Sequence, residues 1–93
     1  MKYFALFYDV IEGFVEKRMP VREEHLRLVR EAHARGEIVM AGALGEPPEG
    51  ALLVFRASSR AVAEEFAGRD PYVRQGLVAG WRVKPWAVVV EPR

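Results

Sequence analysis

The stretch PVREEHLRLVREAHARGEIVMAGALGEPPEGALLVFRA, residues 20–57, decides how the chain folds, because it holds a helix, its stop signal and two strands in succession. Pro20 suits the first turn of a helix, where its missing N–H would have no intrahelical partner. From there to about Arg35, advancing 100° per residue, Val21, Leu28, Val29 and Ala32 fall on one side. Gly36 supplies the left-handed stop favoured at a helix C-terminus. Glu37 to Leu44 is strand-like, Gly45-Glu46-Pro47-Pro48-Glu49-Gly50 is a turn cluster, and Ala51 to Ala57 is strand-like again, which predicts an antiparallel hairpin.

Working outward, Lys2 to Asp9 is rich in aromatics and too short before the Glu12-Gly13 break to favour a helix, so it reads as the first strand. Val15 to Met19 reads as a charged connector. Ser58 or Ser59 can cap a second helix from about Arg60 to Ala67, with Ala63, Phe66 and Ala67 on one side and Val62 near its edge. After Asp70-Pro71-Tyr72 and a helical turn, Leu77 to Val90 reads as a long last strand in which Pro85 indicates a bulge or an edge position. The order strand, helix, strand, strand, helix, strand is that of α+β, ferredoxin-like folds of the split βαβ type (βαββαβ) with an antiparallel sheet. Residues 1–93 read as a single domain.

The strands are apolar on both sides. Phe4, Leu6 and Tyr8 alternate with Tyr3, Ala5 and Phe7, while Ile38, Met40, Leu52, Val54, Val83, Val88 and Val90 add to the apolar area. Two helices on one face leave the other uncovered, and a large apolar sheet face is unusual for a soluble monomer. The sequence therefore predicts a homodimer in which that face packs against an identical sheet, a dimeric α/β-barrel-like assembly.

Composition narrows the function. The 93 residues carry 14 basic and 13 acidic side chains, a formal net charge of +1, which gives no electrostatic footing for nucleic acid or an acidic membrane surface. Without cysteine, thiol nucleophiles, thiolate metal sites and disulfides are excluded. No segment approaches about 20 uninterrupted apolar residues, and Met1 is followed by a strand rather than by a secretory signal pattern, so a soluble cytoplasmic protein is expected.

His25 falls among the apolar residues of the first helix, so a titratable ring faces the core. Burying an imidazole requires a hydrogen-bonding partner, and the run Gly68-Arg69-Asp70-Pro71-Tyr72 offers a carboxylate. A carboxylate accepting from one ring nitrogen fixes the tautomer and leaves the other nitrogen free to move a proton, which is an acid–base dyad. Taken singly, each residue also has a structural role: His25 as a satisfied core histidine, Asp70 as an N-cap followed by a proline at the first helical position.

Lys17-Arg18-Met19-Pro20-Val21-Arg22-Glu23-Glu24-His25-Leu26 contains the Arg-x-x-His-Leu signature and resembles the YciI-like family, also called YCII-related domains. The resemblance continues through Glu37-Ile38-Val39-Met40-Ala41-Gly42, the apolar strand after Gly50, Asp70-Pro71-Tyr72-Val73 and Val83-Lys84-Pro85-Trp86. It implies a ferredoxin-like domain that dimerises through its sheets, with His25 and Asp70 in the positions of a catalytic His-Asp pair. Arg22 matches the arginine of the same motif and can hold an anionic substrate group or an internal carboxylate. By analogy with a related dehydrochlorinase and with muconolactone isomerases, the resemblance implies cofactor-free lyase or isomerase chemistry on a small organic molecule. A non-catalytic ligand-binding or accessory domain with a structural His-Asp pair is the alternative.

Tyr8 and Tyr72 are further candidates for a cleft, hydrogen-bonding a substrate oxygen or stacking on a ring, with core packing the competing role for Tyr8. Trp81 and Trp86, five residues apart, project to opposite faces and are assigned to packing or the subunit interface. His33 stands about 12 Å of helical rise from His25, too far to share an ion, and the carboxylates show no calcium-loop spacing, so no metal is expected. The glycines match neither a dinucleotide fingerprint nor a phosphate loop, so no cofactor is expected. Residues 51–56 lack the basic-aromatic motif of RNA-recognition sheets.

Overall fold

The computed structural model describes residues 1–92. Four strands, β1 (Lys2–Val10), β2 (Ile38–Leu44), β3 (Gly50–Ala57) and β4 (Val78–Trp86), form one sheet in the order β2-β3-β1-β4. Each neighbouring pair is antiparallel. Helices α1 (Phe14–Lys17), α2 (Arg22–Ala34), α3 (Ala61–Arg69) and α4 (Pro71–Arg74) complete a ferredoxin-like α+β fold. Among the described residues no helix is long and apolar enough to cross a membrane.

Strand alternation divides β1 cleanly. Phe4, Leu6 and Tyr8 point toward the helices and join Leu53 and Phe55 of β3, Val83 of β4 and Ile38 of β2 in the core. Across the layer α3 contributes Ala63, Phe66 and Ala67, the residues its periodicity selects, and α2 contributes Ala32. Phe55 and Phe66 meet edge to face with ring centroids 5.6 Å apart. The hydroxyl of Ser59 accepts from the Ala61 amide at 3.3 Å, at the start of α3.

The other sheet face carries no helix. It presents Ala5 and Phe7 from β1, Leu52 and Val54 from β3, Met40 from β2, and Trp86, Lys84 and Arg82 from β4, as the register shows. Met40 and Trp86 are exposed there, while the Arg82 guanidinium sits 4.8 Å over the Phe7 ring.

Two boundaries differ from expectation. Residues 15–19 are not a plain connector: Gly13, at φ 77, turns the chain into α1, and a 3-10 turn over Met19–Val21 leads into α2. The anchor is Phe14, which is buried and draws its turn onto the domain. The last strand stops at Trp86, four residues short of Val90. Trp86 pairs with Tyr3 and β1 begins at Lys2, so the chain beyond Trp86 has almost no partner strand left, and Val89 and Val90 are exposed. Pro85 lies on an edge strand, where its missing N–H costs no ladder bond; the irregularity in β1–β4 pairing falls instead near Asp9 and Val10.

Gly50 begins β3 at a close backbone approach: a Cβ there would stand 2.6 Å from the Tyr8 carbonyl oxygen. Gly50→Ala must push β1 and β3 apart, and overpacking of this kind costs about 1–3 kcal/mol. Urea unfolding should report a loss in that range; an unchanged midpoint would show that the strands separate freely.

Candidate active site

Asp70 joins two helices. It ends α3 in extended geometry, φ −67 and ψ 122, and caps α4, where its side chain accepts from the Tyr72 amide. Pro71 follows at the first helical position, where no N–H is wanted. The turn places a carboxylate in the core, and Asp70 is the buried charged residue among the described residues, with no exposed surface.

Three donors converge on that carboxylate. The Tyr8 hydroxyl donates to Oδ2 at 2.8 Å and the Tyr72 amide to Oδ1 at 3.0 Å. His25 Nδ1 lies 2.9 Å from Oδ1 and 3.0 Å from Oδ2. Since the carboxylate has no proton to give when ionised, Nδ1 carries the hydrogen and donates. The proton on Nδ1 leaves Nε2 as the acceptor nitrogen of a neutral ring, and no residue among those described hydrogen-bonds to it.

The imidazole is fixed in a second way. It stacks on the Tyr72 ring, with centroids 3.8 Å apart and planes 9° from parallel, and Phe14 meets that tyrosine nearly perpendicular, with centroids 5.3 Å apart. One residue thus caps the carboxylate through its backbone and supports the imidazole through its ring. The His25 side chain retains 13% exposure, so it is neither sealed in the core nor open to solvent.

That exposure opens onto a cavity of about 160 Å³ between α2 and the β2 side of the sheet. Phe14, Arg18, Arg22, His25 and Tyr72 line one end. Leu26 and Val29 of α2 face Ala41, Gly42 and Ala43 of β2, with Ala51 and Leu53 behind. Space survives here because β2 offers only small side chains opposite α2. The larger depression along the outer surface of α2 is shallow and walled by Glu23, Glu24, Arg27, Arg30 and Glu31, with Arg27 and Glu31 paired at 3.1 Å. It is a solvated charge face, and no group converges within it.

The structure brings together His25, Asp70, Arg22 and Tyr72. It separates Tyr8 from the cavity. Tyr8 is buried, its hydroxyl is taken by Asp70, and it does not line the wall, so the expectation that it contacts substrate is corrected: it holds the carboxylate from behind. Burial, the Asp70 charge and the Asp70 hydrogen bond all push the Tyr8 hydroxyl well above its ordinary value of 10. Burial raises Tyr72 as well, opposed by the guanidinium groups of Arg18 and Arg22 nearby.

Arg18 was not singled out by its sequence position, yet it lines the cavity, with its guanidinium 5.2 Å over the Phe14 ring. Its Nε is buried with no hydrogen-bond partner, a condition that costs about 1–3 kcal/mol. Arg22, Leu26 and Val29 share one stripe of α2, whereas Arg18 caps the C-terminus of α1 ahead of the 3-10 turn, so no helical spacing in the sequence links it to them. Among the described residues, no cluster of three or more His, Cys, Asp or Glu side chains is placed to hold a metal.

The profile of the YCII-related domain family matches residues 1–87. An uncharacterized protein of Haemophilus influenzae is 31% identical over 96 residues, covering 94% of this chain and 98% of its own length. Among solved structures, a 5-chloro-2-hydroxyhydroquinone dehydrochlorinase of Burkholderia phenoliruptrix, in complex with 2,5-dihydroxybenzoquinone, is similar at a TM-score of 0.75 and 22% identity, over 90% of this chain and 92% of its own. A dimeric ferredoxin-like protein from an uncultured marine organism is similar at a TM-score of 0.51 and 15% identity, over 100% and 99% of the two chains. Identities this low speak for the fold.

The buried phenol has a pH signature. Below about pH 10 Tyr8 is protonated in both the folded and unfolded chain; above it, only the unfolded chain releases the proton, so stability falls as pH rises. Tyr8→Phe should lose about 1.5–3 kcal/mol near neutrality through the missing bond to the carboxylate. Above pH 10 its stability should fall less steeply than that of the parent, by about 1.4 kcal/mol per pH unit. Urea unfolding at pH 7, 10 and 11 measures both, and parallel slopes would contradict the assignment.

Proposed function

The chain belongs to the YCII-related domain family, and we propose that it is a cofactor-independent enzyme performing acid–base chemistry of the lyase or isomerase kind on a small organic molecule. The observation that carries this reading is the His25–Asp70 contact at 2.9 Å beside a cavity that His25 itself lines. With Nδ1 donating to the carboxylate, Nε2 takes a proton from carbon or oxygen of the bound molecule, and Asp70 stabilises the imidazolium that results. Arg22 and the Tyr72 hydroxyl stand at the same end of the cavity and offset negative charge developing on a substrate oxygen. The same His25 returns the proton elsewhere on the molecule for isomerisation, or retains it while a leaving group departs for elimination. The similar structure named as a dehydrochlorinase, an enzyme of elimination, supports the reading by analogy.

We also propose that the working unit is a homodimer joined through the helix-free sheet face, where Met40, Leu52, Phe7 and Trp86 gather apolar area across all four strands' width. The ferredoxin-like protein from an uncultured marine organism is dimeric, which supports a two-chain assembly.

Turnover of substituted hydroquinones, followed by absorbance, tests the chemistry. His25→Asn should lower kcat about 10²–10⁴-fold, the range of a general acid–base group, in a protein whose circular dichroism still reports the folded domain although its melting temperature falls with the lost donor to Asp70. Binding without turnover in the parent protein would leave a ligand-binding domain with a structural His-Asp pair and end the enzyme reading.

Sedimentation velocity tests the assembly. The parent should run as two chains at micromolar concentration and Leu52→Glu as one; a monomeric parent would refute the dimer.

A further inference from the structure

We infer that the cavity beside His25 selects an organic anion built on a single ring, and that Arg18 recognises the anionic oxygen. The inference rests on the reading of this cavity as a ligand site and adds the class of ligand. Three observations carry it.

The first is an unmet donor. Arg18 Nε is buried with no partner, although its guanidinium is held in place over Phe14. Arg18 is thus an arginine on the cavity wall that the protein does not fully pair, and the planar fork of such a side chain matches a carboxylate or phenolate oxygen.

The second is charge. The ionisable groups on the wall are Arg18, Arg22, His25 and Tyr72, and no carboxylate lies among them. The nearby Asp70 has no exposed surface and is saturated by Tyr8, His25 and Tyr72. Arg27 and Arg35, by contrast, each find a glutamate at about 3 Å, at 3.1 and 2.9 Å. Two arginines therefore line the cavity with no carboxylate on its wall, and an anionic ligand supplies the missing sign.

The third is size and lining. A cavity of about 160 Å³ is close to the volume of roughly 150 Å³ that accommodates benzene in an apolar protein interior. Leu26, Val29 and Leu53 present apolar surface to the faces of such a ring, while the polar groups gather at the Arg18 end. One ring with one charged substituent satisfies both regions.

Benzoate and benzamide are matched probes, alike in shape and different in charge. Calorimetric titration of the full chain at neutral pH should find benzoate bound at least tenfold more tightly. Arg18→Gln should bring the two affinities within about twofold, whereas Arg27→Gln, on the outer face of α2, should leave the preference intact. Should Arg18→Gln fail to fold by circular dichroism, Arg18→Lys, which keeps the charge and lacks the Nε fork, should still weaken benzoate several-fold. Equal affinity for the two probes, binding of neither, or an undiminished preference after substitution of Arg18 would overturn the inference. A benzoate preference in a protein that turns over no hydroquinone would keep it and end the catalytic reading; turnover with equal affinities would do the reverse.

Discussion

A carboxylate with no exposed surface is the constraint around which the rest of this molecule is arranged. An ionised group in a small core is tolerable only when its lone pairs are occupied, and here a phenol from β1, an imidazole from α2 and an amide from α4 occupy them. Those donors come from three separate parts of the chain, at sequence separations of 62, 45 and 2 residues. The carboxylate therefore ties β1 to α2 and α4, and the cost of any misplacement is an unpaired charge. Stability and site geometry are coupled through the same two oxygens.

Most of the framework is legible from residue order. Period-2 alternation in β1, the glycine stop at Gly36, the turn cluster before β3 and the Asp-Pro pair each act over a few residues, and each is where local reasoning places it. The pairing of His25 with Asp70 is suggested by a local conflict, a polar ring on an apolar stripe that needs a partner, and is singled out by the resemblance to the YCII-related family. What local reasoning misses depends on distant partners. The end of β4 is set by where β1 begins, and the burial of Phe14 by a tyrosine 58 positions further on whose ring it meets.

The same distinction explains the two site residues that differ from expectation. Tyr8 alternates correctly onto the helix-facing side, but whether its hydroxyl reaches a cavity or a carboxylate depends on the tertiary position of Asp70, which no spacing in β1 encodes. Arg18 belongs to a charged segment that reads as a connector, and becomes part of the cavity because Phe14 pulls that segment onto the domain. In both cases the residue's chemistry is plain and its neighbour is not.

The Ala41-Gly42-Ala43 wall of the cavity lies on an edge strand, outside the packed layer that Leu6, Leu53 and Phe66 form. Hollow and scaffold are consequently separable: bulk added to or trimmed from this margin reshapes the space available to a guest while the interior stays untouched. Under the proposed function, substitution along this one rim would change which molecules fit while the His25–Asp70 contact stays in place.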